Sequence, residues 1–215
     1  MDLRSMQFAH DLKMPIQLIY SCVQLLEMEM SPNARAEGYL QMLIQSADQL
    51  QSMVHHALDE TQQEPKLRLE LRDVVAIART VSRQYALFAE EKDVRIHFET
   101  NAARFMMPTD SEKLERILGN LLSNALRFTS SGGHVEVSVR TRVDALDFEV
   151  ADDGCGIPGE QQQAVFELGV TDGGHGYGLG IVRDYARLLG GEVYLQSTPG
   201  MGSRFTIHLP VRAYV

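Results

Sequence analysis

The hydrophobic pattern of this chain changes its period once, and that change limits the folds available to it. Up to about residue 63, apolar residues recur every three or four positions in two runs, as in helices that pack along one seam. From about residue 66, helical stretches alternate with stretches in which every second residue is apolar, the pattern of half-buried strands. We therefore expect an α+β protein with a helical part at 1–63 and a mixed part at 66–215.

The first part has the pattern of a helical hairpin. Its two apolar runs are separated by Glu29-Met30-Ser31-Pro32-Asn33, which predicts a tight loop between antiparallel helices. Two helices enclose little core, whereas two copies of the hairpin would bury both seams in a four-helix bundle. We therefore predict a homodimer formed through the hairpin. The first run is Phe8, Leu12, Ile16, Ile19, Val23, Leu26 and Met30, and the second is Leu40, Leu43, Ala47, Leu50, Val54 and Ala57.

The second part predicts a mixed sheet with helices covering one face. The residues Thr109-Asp110-Ser111-Glu112 match a capping box that opens a helix. Strands are predicted at 94–99, 135–139, 146–150, 192–196 and 204–209, and helices at 73–91, 109–128 and 179–189.

Composition excludes several classes of function. The chain has 20 Lys plus Arg against 29 Asp plus Glu, a net charge of -9, and no basic patch, so a nucleic-acid partner is not expected. The two cysteines, Cys22 and Cys155, lack the spacing of a disulfide framework or a zinc site. No apolar run approaches the roughly 18 residues that span a bilayer. We expect a cytoplasmic segment without membrane contact, and a membrane-anchored parent protein is compatible with it.

Asp152 is the most informative polar residue. Strand alternation after Leu146, Phe148 and Val150 places it on the buried face, where a carboxylate needs a partner. The glycines that follow, Gly154 and Gly156, would let a flat ligand approach the backbone, and the amino group of a purine would satisfy the carboxylate. The alternative is a structural carboxylate in a turn, which is the more frequent role of such a residue when it occurs alone.

Two further patterns suggest phosphate and metal binding. Asn120, Asn124 and Arg127 lie along one flank of the helix predicted at 109–128, where amide oxygens can ligate Mg²⁺ and a guanidinium can meet phosphate. The glycine-rich stretch 174–180 leads into a helix and is an anion cradle by geometry. An ordinary polar helix face and a flexible connector are the respective alternatives.

The order of these motifs resembles that of sensor histidine kinases. The segments 120–129, 152–156, Phe166 and 176–180 are similar to the N, G1, F and G2 boxes of that family, and 200–203 to a further glycine box. The stretch 8–15, Phe-Ala-His-Asp-Leu-Lys-Met-Pro, looks like its phosphoacceptor box. The resemblance covers almost the whole chain and implies a dimeric histidine-phosphotransfer hairpin followed by a Bergerat-type ATP-binding α/β sandwich.

The resemblance also implies roles for individual residues. His10 would be the phosphoacceptor and Asp11 its proton-handling partner. Asn124 would bind Mg²⁺ and Asp152 the amino group of ATP. Phosphate would pass from His10 to the receiver domain of a response regulator. The remaining implied nucleotide contacts are Asn120 and Arg127 at the phosphates, Gly154, Gly156, Gly176, Gly178, Leu179 and Gly180 around the pocket, and Thr206 through water to the adenine.

Two departures from the family pattern leave alternatives open. Met14 stands where many relatives carry Thr or Asn, which predicts weak phosphatase activity toward the regulator. The alternative is that Gln17 takes over the role of the missing Thr or Asn. The segment between Phe166 and Gly176 is short and has no Lys or Arg, which predicts modest ATP affinity. A nucleotide-binding pseudokinase scaffold and an ATPase of the Bergerat fold therefore remain as alternatives.

Overall fold

The computed structural model describes residues 67–166 and 178–211, which belong to the compact unit Leu67–Val215. The hairpin predicted at 1–63, with His10 and Asp11, and the loop residue Gly176 lie outside the described residues. The helices are α1 (Val74–Glu91), α2 (Ser111–Phe128) and α3 (Gly178–Leu188). The strands are β1 (Glu70–Asp73), β2 (Arg95–Thr100), β3 (Met106–Thr109), β4 (His134–Thr141), β5 (Ala145–Asp152), β6 (Glu192–Ser197) and β7 (Ser203–Pro210), and two 3₁₀ turns occupy Gly159–Gln161 and Ala164–Phe166.

Five strands form a mixed sheet in the order β2-β4-β5-β7-β6. Strands β2 and β4 are parallel, and the other neighbours are antiparallel. The strands are amphipathic, because their inward residues are apolar and buried while alternate residues face outward. The predicted mixed sheet with helices on one face is confirmed.

The core lies between the sheet and the helices. Helix α2 contributes an apolar stripe that includes Leu114, Ile117, Leu121 and Leu122, all at most 1% exposed. Phe148 of β5 is completely buried among them in the same core cluster. This packing fixes α2 against the middle of the sheet, and the polar flank of α2 remains at the edge of the core.

The cap of α2 differs from the capping box that the sequence predicted. Asp110, not Thr109, is the N-cap, and its Oδ1 accepts a hydrogen bond from the backbone N–H of Lys113 at 3.2 Å. Its Oδ2 also accepts from the N–H of Arg68 at 3.0 Å. Thr109 instead ends β3, and its buried Oγ1 has no hydrogen-bond partner among the described residues. The cap lies one residue later because the Thr109 backbone is still paired with Glu70.

A second, two-stranded sheet was not predicted from the sequence. Strands β1 and β3 pair antiparallel, and each has only four residues. Pro108 interrupts the strand pattern of β3, and most of β1 is exposed.

The outer face of the five-stranded sheet carries ion pairs, two between neighbouring strands and one between β5 and the connection that follows β4. Glu99 pairs with Arg140 at 2.5 Å, Asp147 with Arg142 at 2.9 Å, and Glu149 with Arg204. This face is therefore polar, and the nucleotide-site candidates predicted on the inner face are separated from it by the thickness of the sheet. None of the helices within 67–166 and 178–211 has the length and apolar character that crossing a membrane requires.

Candidate functional site

Asp152 lies at the end of β5, half-buried, on the inward-facing side that strand alternation predicted. Its Oδ1 accepts hydrogen bonds from the backbone N–H groups of Gly154 at 3.0 Å and Ser203 at 3.3 Å. Both bonds fall on the same oxygen. Oδ2 has no partner among the described residues and is available to a further donor, as a ligand amino group would be.

The pKa of Asp152 is raised from its ordinary value. Burial is the largest cause, and the neighbouring charge of Asp153 acts in the same direction. The two backbone hydrogen bonds lower the pKa but do not cancel the effect of burial. A carboxyl group in this state gains from a ligand that donates a hydrogen bond to it, because the donor replaces solvation that folding has removed.

The glycines after Asp152 are required by contacts within the protein itself. A Cβ on Gly154 would overlap the carbonyl oxygen of Phe128, at the end of α2. Gly156 has φ of 68°, and a Cβ there would overlap the carbonyl oxygen of Thr198. The N–H of Cys155 also donates to the Phe128 carbonyl at 3.3 Å. The close approach predicted for a ligand is thus made at these two positions by the chain.

The amide residues of α2 lie beside the start of α3. A Cβ on Gly178 would lie 3.0 Å from Oδ1 of Asn120 and 4.0 Å from Nδ2 of Asn124. Asn120 donates its Nδ2 proton to the Arg116 carbonyl at 2.8 Å, which orients the amide. The first N–H groups of a helix have no carbonyl partner within it, so this junction combines amide oxygens with the positive end of a helix dipole. It is suited to bind an anion together with a cation.

Helix α2 therefore contacts two groups of polar residues, which we treat as the two ends of one candidate site. We call the Asp152 turn with Phe128 the carboxylate end, and Asn120, Asn124 and Gly178 the amide end. Asn120 and Phe128 are eight residues apart, a rise of about 12 Å along a helix. A purine nucleoside triphosphate can bridge such a distance.

The other predicted residues near these ends have mixed positions. Arg127 lies in the last turn of α2, with its guanidinium carbon 5.3 Å from the centre of the Phe128 ring. In the first turn of α3, Gly180 is buried and the Leu179 side chain packs against the core. The backbone N–H groups of both residues belong to the start of the helix. Phe166 meets Phe205 edge-on at 6.2 Å.

Thr206 is not at this site, and the expectation that it contacts adenine is wrong for this fold. It alternates with Phe205 and Ile207, which are buried, and therefore lies on the outer face, where its hydroxyl donates to Glu149 at 3.4 Å. Ser203 occupies the position that Thr206 was expected to fill, because it is paired with Asp152 across β5 and β7. The alternation of Ser203, Phe205, Ile207 and Leu209 in the sequence already carried this information.

The described residues contain no group of three or more His, Cys, Asp or Glu side chains that could hold a metal ion. Mg²⁺ prefers to keep waters and to bind through one or two protein oxygens plus phosphate oxygens. An amide oxygen at Asn124 fits that mode of binding better than it would fit a cage made only by the protein.

Comparison with known proteins agrees with this arrangement. Residues 109–213 match a family described as histidine kinase-, DNA gyrase B- and HSP90-like ATPase. The alginate biosynthesis sensor protein KinB of Pseudomonas aeruginosa is 28% identical over 212 residues, which are 94% of this chain and 36% of KinB. The aerobic respiration control sensor protein ArcB of Escherichia coli strain K12 is 32% identical over 220 residues, covering 94% of this chain and 28% of ArcB. The chain thus spans only about a third of the length of these relatives.

A solved structure also shares the fold. The histidine kinase ThkA, crystallised in complex with the response regulator protein TrrA, superposes with a TM-score of 0.72 at 19% identity. The match covers 97% of this chain and 61% of that one. At this identity the similarity concerns the fold, an α/β sandwich of the Bergerat type.

Proposed function

We propose that the chain is the catalytic core of a sensor histidine kinase, because residues 109–213 match the family described as histidine kinase-, DNA gyrase B- and HSP90-like ATPase. In this proposal, residues 1–63 are a dimeric phosphotransfer hairpin and residues 66–215 bind ATP. The γ-phosphoryl group is transferred to His10 and then to an aspartate in the receiver domain of a response regulator.

One observation carries the proposal: the turn after Asp152 contacts the C-terminal end of α2 at Phe128, and the amide residues Asn120 and Asn124 lie on the same helix beside the start of α3. ATP would place its adenine amino group on Asp152 Oδ2 and its phosphates beside Asn120, Asn124 and the N-terminus of α3. Bound Mg²⁺, held by Asn124 and phosphate oxygens, would neutralise charge on the phosphates. Arg127 would supply a further positive charge from the last turn of α2.

The transfer step requires the imidazole of His10 to be neutral. One ring nitrogen of His10 attacks the γ-phosphorus, a P–N bond forms, and the bond from phosphorus to the bridging oxygen breaks to release ADP. The proton on the other ring nitrogen is held by Asp11, which fixes the tautomer and stabilises the positive charge that develops. The phosphoryl group then moves from nitrogen to the carboxylate of the regulator and restores His10.

The ATPase alternative is disfavoured by Asn120. An ATPase of this fold needs a general base at that position to activate water, and an amide is a poor base. The Asn120 amide also donates a hydrogen bond to the Arg116 carbonyl, so it has a structural role within α2. This feature favours transfer to a protein over hydrolysis.

The experiment that tests the proposal is incubation of the chain with Mg²⁺ and γ-labelled ATP. We expect label that is stable in alkali and lost in acid, as for a phosphohistidine, and no label in the His10→Ala variant. His134→Ala is the matched control, since that histidine is exposed on the sheet and pairs with Asp153 at 3.2 Å. Release of free phosphate without label would favour the ATPase, and ATP binding without either would favour the pseudokinase scaffold.

A further inference from the structure

Ser197, the last residue of β6, makes an unusual number of contacts for one hydroxyl group. Its Oγ accepts a hydrogen bond from the N–H of Ile157 at 2.7 Å and donates to the carbonyl of Gly202 at 2.8 Å. A third contact joins it to Oγ of Ser203 at 3.0 Å. A serine hydroxyl has one proton, and Ser197 donates it to the Gly202 carbonyl. Ser203 must therefore be the donor in the contact between the two hydroxyls.

These contacts gather three segments that are distant in sequence. Ile157 follows the turn after Asp152, Gly202 ends the turn before β7, and Ser203 is the first residue of β7. The third segment is the 3₁₀ region, from which Gln162 donates through Nε2 to the carbonyls of Ile157 at 3.0 Å and Ser197 at 2.9 Å. Both amide protons of Gln162 are thereby used. Ser197 is the residue on which all three segments meet.

The same segments supply the hydrogen bonds that fix Asp152. The donors to its Oδ1 are Gly154, three residues before Ile157, and Ser203, which is bonded to Ser197. The two turns are also packed without space between them, since a Cβ on Gly202 would overlap the carbonyl oxygen of Asp152. A shift of either turn would therefore change the direction of the Asp152 carboxylate.

We propose that Ser197 is a positioning residue of the nucleotide site, and that its hydroxyl holds the turns that aim the free carboxylate oxygen of Asp152 at the amino group of the purine. This inference rests on the proposed ATP-binding function. Ser197 does not contact the nucleotide in this arrangement. Its effect passes through Asp152 and depends on whether the bound purine has a 6-amino group.

The test compares two nucleotides on the full chain. ATP has the 6-amino group, and purine riboside triphosphate lacks it. For the Ser197→Ala variant we expect the dissociation constant for ATP, measured by calorimetry, to rise about tenfold, as expected for loss of one well-placed hydrogen bond. The dissociation constant for purine riboside triphosphate should stay within about twofold of wild type, because that nucleotide does not use Asp152. In an Asp152→Asn background, Ser197→Ala should no longer weaken ATP binding.

The controls separate positioning from general damage. Ser138→Ala removes a buried hydroxyl that has no hydrogen-bond partner among the described residues, and it should alter neither affinity. Should Ser197→Ala fail to fold, Ser197→Cys keeps the side chain's shape with a weaker donor and acceptor, and it should show the same selective loss to a smaller degree. An equal loss of both nucleotides, or no loss of either, would overturn the role of Ser197. Wild-type protein that binds neither nucleotide would overturn the proposed function itself, and this inference with it.

Discussion

Asp152, which we propose recognises the purine, is half-buried at a cost to the folded state. Replacing it by Asn preserves an oxygen that can accept from Gly154 and Ser203, but it presents an amide N–H₂ group where the free carboxylate oxygen was. Two donors would then face each other at the purine amino group. We expect Asp152→Asn to weaken ATP binding by roughly 10- to 100-fold, the value of a hydrogen bond to a charged group. Calorimetric titration checks this. Asp153→Asn, at the exposed neighbour, is the control and should bind ATP nearly as well as wild type.

The same substitution should increase stability at neutral pH. Since burial raises the pKa of Asp152, the folded protein holds this proton more tightly than the unfolded chain does. The stabilising contribution of Asp152 is complete below the unfolded pKa of about 3.9 and is lost as the pH rises through the raised pKa of the folded state. We expect Asp152→Asn to exceed wild type in free energy of unfolding at pH 7, with the difference shrinking toward pH 4. Urea denaturation at several pH values measures it, and a difference that does not change with pH would contradict the argument.

Two glycines with similar φ angles should respond differently to alanine. Gly132 has φ of 83° and open space where a Cβ would be, so Gly132→Ala should cost only the backbone term of about 1–2 kcal/mol. Gly202 has φ of 84°, and its Cβ would overlap the Asp152 carbonyl, so Gly202→Ala should cost roughly 1–3 kcal/mol more. Urea denaturation compares the two variants, and equal losses would show that the overlap is relieved at no cost.

Thr206 and Ser203 show how far residue-level prediction extends. The position of Asp152 on the inner face followed from alternation along β5. The same rule along β7 separates Ser203 from Thr206, because Phe205, Ile207 and Leu209 are the buried residues. The expectation for Thr206 came from the motif order and not from the parity of the strand. By contrast, no local pattern indicates the contacts of Ser197, which join residues up to 40 positions apart.

At the scale of elements, the predictions succeeded where a long periodic run was present. The α1, α2 and α3 helices and the five main strands were each predicted to within about two residues of their observed limits. The paired strands β1 and β3 were missed because four residues with a proline or with mostly exposed side chains give no periodic pattern. Their pairing depends on contacts between residues 70–73 and 106–109, which a local reading of the sequence does not contain.

The start of α2 provides a test at this scale. Asp110 is only 4% exposed, and its carboxylate accepts from the N–H groups of Lys113 and Arg68 and forms an ion pair with Lys113 at 3.2 Å. We expect Asp110→Ala to lower the free energy of unfolding by about 1–2 kcal/mol through loss of the cap. Loss of the hydrogen-bond acceptor of the Arg68 N–H should add a further decrease. Glu112→Ala, in the same turn but exposed, is the control and should change stability by less than about 0.5 kcal/mol.

The pH dependence of this effect should be opposite to that of Asp152. Burial alone would raise the pKa of Asp110, but the hydrogen bonds from Arg68 and Lys113 and the charge of Lys113 outweigh burial and lower it. A lowered pKa contributes stability above the unfolded pKa, and that contribution is lost as the pH falls through the folded pKa. The difference between wild type and Asp110→Ala should therefore be largest near neutrality and should decrease in acid. Urea denaturation over the same pH series measures this difference in free energy of unfolding. A difference that stays constant with pH would contradict the prediction.

At the scale of the whole molecule, we expect nucleotide binding and phosphoryl acceptance to be separable. A fragment of residues 67–215 keeps Asp152, both amide residues and the described hydrophobic core, but it lacks His10. We expect it to unfold in one cooperative transition and to bind ATP with the affinity of the full chain, yet to take up no label from γ-labelled ATP. Calorimetry and the labelling assay check the two parts. Label on the fragment would place an acceptor outside the hairpin, and failure to bind ATP would show that the site needs residues before 67.

The outer face of the five-stranded sheet has a consequence for how this sequence can change over time. Glu99 pairs with Arg140 and Glu149 with Arg204 across neighbouring strands, and Asp147 of β5 pairs with Arg142 in the connection after β4. Reversing the charge of one member places like charges side by side, and reversing both restores the attraction. Among descendants of this chain, substitutions at these positions should therefore occur in coupled pairs. Substitutions on the inner face, which includes Asp152 and Ser197, should occur independently of them.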